Sequence, residues 1–382
     1  MRHRLAENLQ DKNKKFYFNI HSGLLLFFGI IRITLLKTEK IKKLFLVFFF
    51  IFAVSIPDIC SSLEPPSNHF SLILDSPMAY VLDRGRLEAS FLYEHLDSKV
   101  DIFNFRKDNN RTLGNLGDYE SYGGMINFGL TESITATLKA EFPKIDYGID
   151  KLKITKIASS LKWNVFKEKS FAPAVSLGIN YKYDRGENIS RRISEITFPG
   201  FSTIILPKPA TIEIGGVKDN TYSVSFYVSK LLFEDLVAHG FIEVGRTRVE
   251  SEFNTSLNIP QIQNLLKGLE YDQNNFSVGV GFHYRIKPTL ILNINYKFVT
   301  VDRDIDNDIG SDFTKNNIVD VKLNQIINKY VSVTLQGKFY SNNLLGEVPF
   351  LYNRLTSEQF NNAYGYIGAV VTFSYDYSAW LH

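Results

Sequence analysis

From Arg86 onward, apolar and polar residues alternate with a period of two in stretches of about ten, each bounded by turn residues. In Ser133 to Phe142, Ile134, Ala136, Leu138, Ala140 and Phe142 alternate without error with Ser133, Thr135, Thr137, Lys139 and Glu141. A slip of one residue would turn Lys139 and Glu141 onto the apolar face, so this register is strongly specified. The same pattern marks Leu87 to His95, Ser121 to Leu130, Ile157 to Val165, Val175 to Tyr183 and Tyr222 to Val228. It continues in Val237 to Gly245, Phe276 to Tyr284, Leu290 to Phe298, Val319 to Leu323, Val331 to Phe339 and Tyr364 to Tyr377. Val237 to Gly245 is the least regular, because Phe241 and Glu243 share a face.

About twelve strands of this length suit a bilayer, which a tilted strand crosses in about 9 to 11 residues. The connections near Thr131, Lys167, Phe233, Lys287 and Asn328 are short, and those around Asn109, Asp146, Gly200, Gln261, Asp306 and Leu351 are long. Short turns on one side and long loops on the other are the rule of outer-membrane barrels, with both termini on the short-turn side. The expected fold is therefore all-β, a transmembrane antiparallel up-and-down β-barrel of about 12 strands. It spans residues 86–377, with Tyr364 to Tyr377 closing against Leu87 to His95. Residues 63–85 are expected as a periplasmic N-terminal segment and 378–382 as an extension. Tyr375 and Tyr377 are expected at the periplasmic rim.

The pattern Tyr366-x-Gly368-x-x-Val371-x-Phe373 resembles the C-terminal β-signal of bacterial outer-membrane β-barrel proteins. The resemblance implies a place in the bacterial outer membrane, contact with its lipid and recognition by the barrel-assembly machinery. The chain departs from that pattern by continuing nine residues past Phe373.

Composition changes this picture little. Aromatic residues make up 14% of the chain, with 31 Phe and 20 Tyr, which suits rings placed at membrane interfaces. A net charge of +3 without a basic cluster beyond the N-terminus argues against a nucleic-acid partner. Lys40, Lys42 and Lys43, the apolar run Leu44 to Ile56, and Pro57 followed by Cys60, Ser61 and Ser62 have the order of a cleaved secretory signal. Residues 1–62 are then a leader cut after Ser62, with a start that lies too early for an ordinary signal. A second apolar patch, Leu24 to Ile31, leaves an inner-membrane helical hairpin as the alternative, and Cys60 leaves a lipoprotein reading. Removing the leader removes Cys60, the single cysteine, and with it thiol nucleophiles and thiolate metal sites.

The alternation turns Lys139, Glu141, Lys162, Asn164, Asn180, Lys182, His283, Arg285, Asn293, Asn295, Lys297, Asp320, Lys322, Gln336 and Lys338 inward. Basic groups outnumber acidic ones among them. Such a lining forms either a polar passage with a weak anion preference or a closed, ion-paired interior. The stretch Asp302-x-Asp304-x-Asp306-x-Asp308-x-Gly310-x-Asp312 resembles the start of an EF-hand loop, yet Asn307 and Phe313 stand where that loop needs Gly and Glu. A solvated acidic loop is the expectation, and no metal or cofactor is called for. The segment from Arg185 to Asn220 either folds over or into the mouth or forms an extended hairpin. Pro260 to Leu269 has the spacing of a short amphipathic helix.

His69-Phe70-Ser71 precedes the first strand, and His239 and His283 are isolated on strands, so no catalytic group is assembled in sequence. The leading expectation is a non-enzymatic, porin-like channel for small hydrophilic solutes. A non-conducting barrel presenting its loops for adhesion or a structural role is the alternative, and a membrane-embedded hydrolase is the third.

Overall fold

A computed structural model describes residues 77–96, 119–146, 151–196, 204–255, 270–305, 314–342, 344–352 and 363–377. The leader, His69-Phe70-Ser71, Phe198-Pro199-Gly200-Phe201, Pro260 to Leu269, Asp306 to Asp312 and residues 378–382 lie outside the described residues.

The expected strands form: β1 (Arg86–Leu96), β2 (Tyr119–Thr131), β3 (Ile134–Asp146), β4 (Lys151–Phe166) and β5 (Ala174–Gly186). After β6 (Ile189–Ile196) come β7 (Ile204–Phe233), β8 (Leu236–Thr255), β9 (Tyr271–Lys287) and β10 (Leu290–Arg303). β11 (Lys315–Ile326), β12 (Val331–Tyr340) and β13 (Tyr364–Asp376) complete the sheet. Neighbours pair antiparallel, β5 pairs with β7, and β1 meets β13 with Leu87 opposite Tyr375 and Phe91 opposite Val371. Twelve strands thus close a barrel and leave no unpaired edge in the membrane.

The thirteenth strand, β6, stands outside the ring. It pairs with the first half of β7, Ile189 opposite Ile214, while the second half of β7 pairs with β5. β7, at 30 residues, and β8, at 20, continue past the other strands on the long-loop side. In its described residues the Arg185 to Asn220 segment is therefore a hairpin of β6 with the first half of β7. In β8 the irregular alternation also has a cause. Phe241 and Glu243 both face inward, and Gly279 on β9 leaves the space for Phe241, since a Cβ there would lie 2.2 Å from its ring.

Outside, the strands carry an aliphatic band through Ile126, Leu138, Leu161, Ile179, Val224, Ile294, Leu335 and Ile367, all exposed. Tyr93, Tyr122, Phe142 and Tyr222 lie toward the long-loop end, with Tyr93 paired to Tyr122 and Tyr122 to Phe142. Trp163, Phe233, Tyr330, Phe373, Tyr375 and Tyr377 lie toward the short-turn end. Two aromatic girdles around an apolar belt are the lipid face of a membrane barrel.

Candidate functional site

At the short-turn end, residues 77–85 enter the barrel instead of trailing away from it. Met78 and Ala79 are fully buried, and Met78 packs on Leu231 of β7 and Val237 of β8. Backbone groups of this segment bond to the wall: the Ala79 amide to Ser229 Oγ at 2.8 Å, and the Leu82 amide to Thr135 Oγ1 at 2.7 Å. The Ala79 carbonyl accepts from Asn164 at 2.9 Å and from Ser176, and the Met78 carbonyl accepts from Lys162 Nζ at 2.9 Å. Tyr80 donates to Glu168, which also pairs with Lys230 at 3.1 Å. Burial and that carboxylate together push the Tyr80 phenol well above its ordinary pKa. Gly129 makes the approach feasible, because a Cβ there would fall 1.9 Å from the Asp83 carbonyl.

At the long-loop end, the connection after β12 turns inward. Leu344, Leu345, Val348, Phe350, Leu351 and Tyr352 are buried against wall residues that include Tyr119, Ile154, Tyr271, Val299 and Ile318. These side chains are apolar and water-excluding, which explains why the loop sits inside the mouth. Three strands pin its backbone: Asn316 donates to the Leu345 carbonyl at 2.9 Å, Tyr271 to the Pro349 carbonyl, and the Phe350 amide to Asp219 at 3.3 Å. Gly346 at φ 80 and Leu344 at φ 52 make the turn; the left-handed region costs a leucine about 1–2 kcal/mol.

Glu347 projects from this loop toward the lysines. Lys338 Nζ lies 3.4 Å from its carboxylate, and Lys182 donates to its backbone carbonyl while pairing with Asp184 at 2.8 Å. Burial opposes ionisation of Glu347, but Lys338, Lys156, Lys297 and Lys182 outweigh it and hold the carboxyl well below the usual carboxylate range.

Between the two inserted segments lies a cavity of about 380 Å³. Its lining brings Lys139, Lys156, Lys162, Lys182, Lys297 and Lys338 together with Glu141, Glu243, Asp320 and Glu347, six lysines against four carboxylates. Asn180 and Asn295 join them, as do Tyr80, Tyr181 and Tyr227. Several charges are paired: Glu141 with Lys139 at 3.0 Å and with Lys156 at 3.6 Å, while Lys162 also lies 4.8 Å above the Tyr227 ring. The interior is polar and charged, the exterior apolar. The chain is a transmembrane β-barrel.

Not every inward residue reaches this cavity. Asn164 is covered by the N-terminal segment, and Arg285 lies at the short-turn rim, 3.7 Å from Asp235. Lys322 is buried beside Asp320 at 3.1 Å, and Gln336 donates to Glu94 at 2.8 Å. His283 and Asn293 are fully buried, and His239 bonds through Nε2 to Asn295 at 2.7 Å. In the C-terminal pattern, Tyr366 and Gly368 face inward and Phe373 faces out, its ring edge-on to Phe91 at 6.4 Å.

Glu347, Lys156, Tyr80 and Glu168 were not among the residues expected to matter. The one signal that could have found Glu347 is the apolar run Leu344 to Tyr352, too hydrophobic for a solvated loop.

No sequence profile of a known protein family matches the chain, and no curated protein matches it. Solved structures of similar shape include the translocator domain of the autotransporter NalP from Neisseria meningitidis, at TM-score 0.43 and 10% identity, covering 76% of this chain and 88% of that one. An outer membrane channel from Pseudomonas putida F1 gives 0.42 and 9%, covering 82% and 100%. The toluene transporter TodX of Pseudomonas putida gives 0.42 and 8%, covering 83% and 95%.

Proposed function

We propose that this protein is a narrow, porin-like channel of the bacterial outer membrane that passes small hydrophilic solutes with a weak preference for anions. The short turns then face the periplasm and the long loops the exterior. The observation that carries this reading is the cavity between the two inserted segments, whose lining holds six lysines against four carboxylates. Charged linings set ion preference where the passage is tight enough for their fields to act on the permeant ion. The mobile counter-ion of such a lining is an anion.

Planar bilayers containing the folded barrel, under a potassium chloride gradient, test this directly. The expected result is discrete conductance steps with a reversal potential on the chloride side, moved toward the potassium side by Lys297→Glu. A barrel that shifts on heating in gel electrophoresis, as a folded one does, yet never conducts, refutes the channel reading. In that case the hairpin of β6 with the upper parts of β7 and β8 supports a barrel that presents its exterior surface to a partner.

A further inference from the structure

We infer that the lysines around Glu347 form an anion site, occupied by the chain's own carboxylate, which accepts a small soluble carboxylate in exchange. This deepens the channel reading above and rests on it, since it names small carboxylates as the solutes that the passage favours.

Four lysines line the cavity with Glu347 from separate strands, Lys156 from β4, Lys182 from β5, Lys297 from β10 and Lys338 from β12, and Lys338 lies 3.4 Å from its carboxylate. A carboxylate among several lysines, in contact with one of them, is the arrangement expected of an anion site. The occupant, however, is borne by a loop and not by the wall. Glu347 follows Gly346, and the inward connection as a whole is held by apolar packing and by hydrogen bonds between its backbone and Asn316, Tyr271, Asp219 and Lys182. Its side chain keeps 20% of its surface exposed, so the carboxylate borders the cavity and a solute there competes for the same ammonium groups. The lowered pKa of Glu347, which keeps its carboxyl ionised, agrees with a site built for negative charge. Lys139 and Lys156 also pair with Glu141, which is fixed on β3, whereas Glu347 stands on a connection between strands, so exchange is directed to Glu347.

Succinate is the probe, titrated calorimetrically into the full chain folded in detergent at constant chloride. E347Q should bind it at least tenfold more tightly than the unaltered protein, and K338Q added to E347Q should abolish the gain. With Glu347 intact and Cys60→Ser removing the natural thiol, Leu345→Cys, at a position 1% exposed, should react with a water-soluble maleimide several-fold faster as succinate is added. Equal affinity of E347Q and the unaltered protein overturns the inference. Should E347Q fail to fold, labelling at Leu345→Cys decides, and a rate indifferent to succinate overturns it. Binding without conductance refutes the channel alone, whereas conductance with equal succinate affinities refutes only the anion site.

Discussion

The segment at the short-turn mouth offers a perturbation that touches the plug and spares the wall. Met78 is fully buried against Leu231 and Val237, and replacing it with alanine removes most of that contact without altering any strand. Buried Met→Ala substitutions cost about 2–5 kcal/mol. Because the segment precedes β1 and lies outside the strand ladder, the loss is expected to fall on the equilibrium between docked and undocked segment. At the lower bound, about 2 kcal/mol corresponds to a roughly 30-fold rise in the undocked fraction. A reporter is available in the neighbouring residue: Ala79 is fully buried when docked, and Cys60 is the single natural cysteine. In a Cys60→Ser, Ala79→Cys background, Met78→Ala should raise the rate of labelling by a soluble maleimide about 30-fold, since labelling follows the population of the open form. Unchanged labelling in a barrel that still shifts on heating would refute the account of Met78 as an anchor.

Phe373→Ala should reduce the yield of folded, heat-modifiable barrel more than deletion of Ala379 to His382, because Phe373 lies on the closing strand in edge contact with Phe91; equal losses would remove the assembly role from the C-terminal pattern. For pH, the sign follows from a folded-state pKa below the unfolded one: the stabilisation from ionised Glu347 is present above the ordinary carboxylate range and is lost only as pH falls through the lower folded value. Accessibility of Leu345→Cys should therefore stay low from pH 7 to pH 4, and a release centred near pH 4.5 would contradict the lysine cluster.

What the sequence showed of the fold depended on residues constrained from two sides at once. Along β3, Lys139 and Glu141 need water and ion partners while Leu138 and Ala140 need lipid, so register was legible without any knowledge of neighbours. The closing of Tyr364 to Tyr377 against Leu87 to His95 followed because a barrel strand without a partner leaves backbone groups unpaired in the membrane, whereas the register that sets Leu87 opposite Tyr375 came only from the structure. β6 was not resolved as a strand, since a hairpin beyond the bilayer has no lipid face to impose alternation. The inward set was legible as a face but not as a site. His283 and Lys182 looked alike in sequence, and only the three-dimensional arrangement buries the first and aims the second at the Glu347 carbonyl.

The two inserted segments mark the limit of local reading. Leu345 is bonded to Asn316 and Phe350 to Asp219, while Met78 is bonded to Lys162 and Ala79 to Ser229, all contacts between residues distant along the chain. Periodicity carries no information about such pairs. Yet both segments carry the same trace: apolar side chains where a solvated connection has no use for them. In a barrel, lipid takes apolar residues only at alternate strand positions, so apolar residues in the connections must find cover elsewhere, and packing against one another and against inward wall residues supplies it. Met78 to Leu82 and Leu344 to Tyr352 meet that condition at opposite ends of one lumen. The lysines between them then face a carboxylate and backbone carbonyls supplied by the inserted chain, so what fills the barrel, and not its wall alone, neutralises its charge.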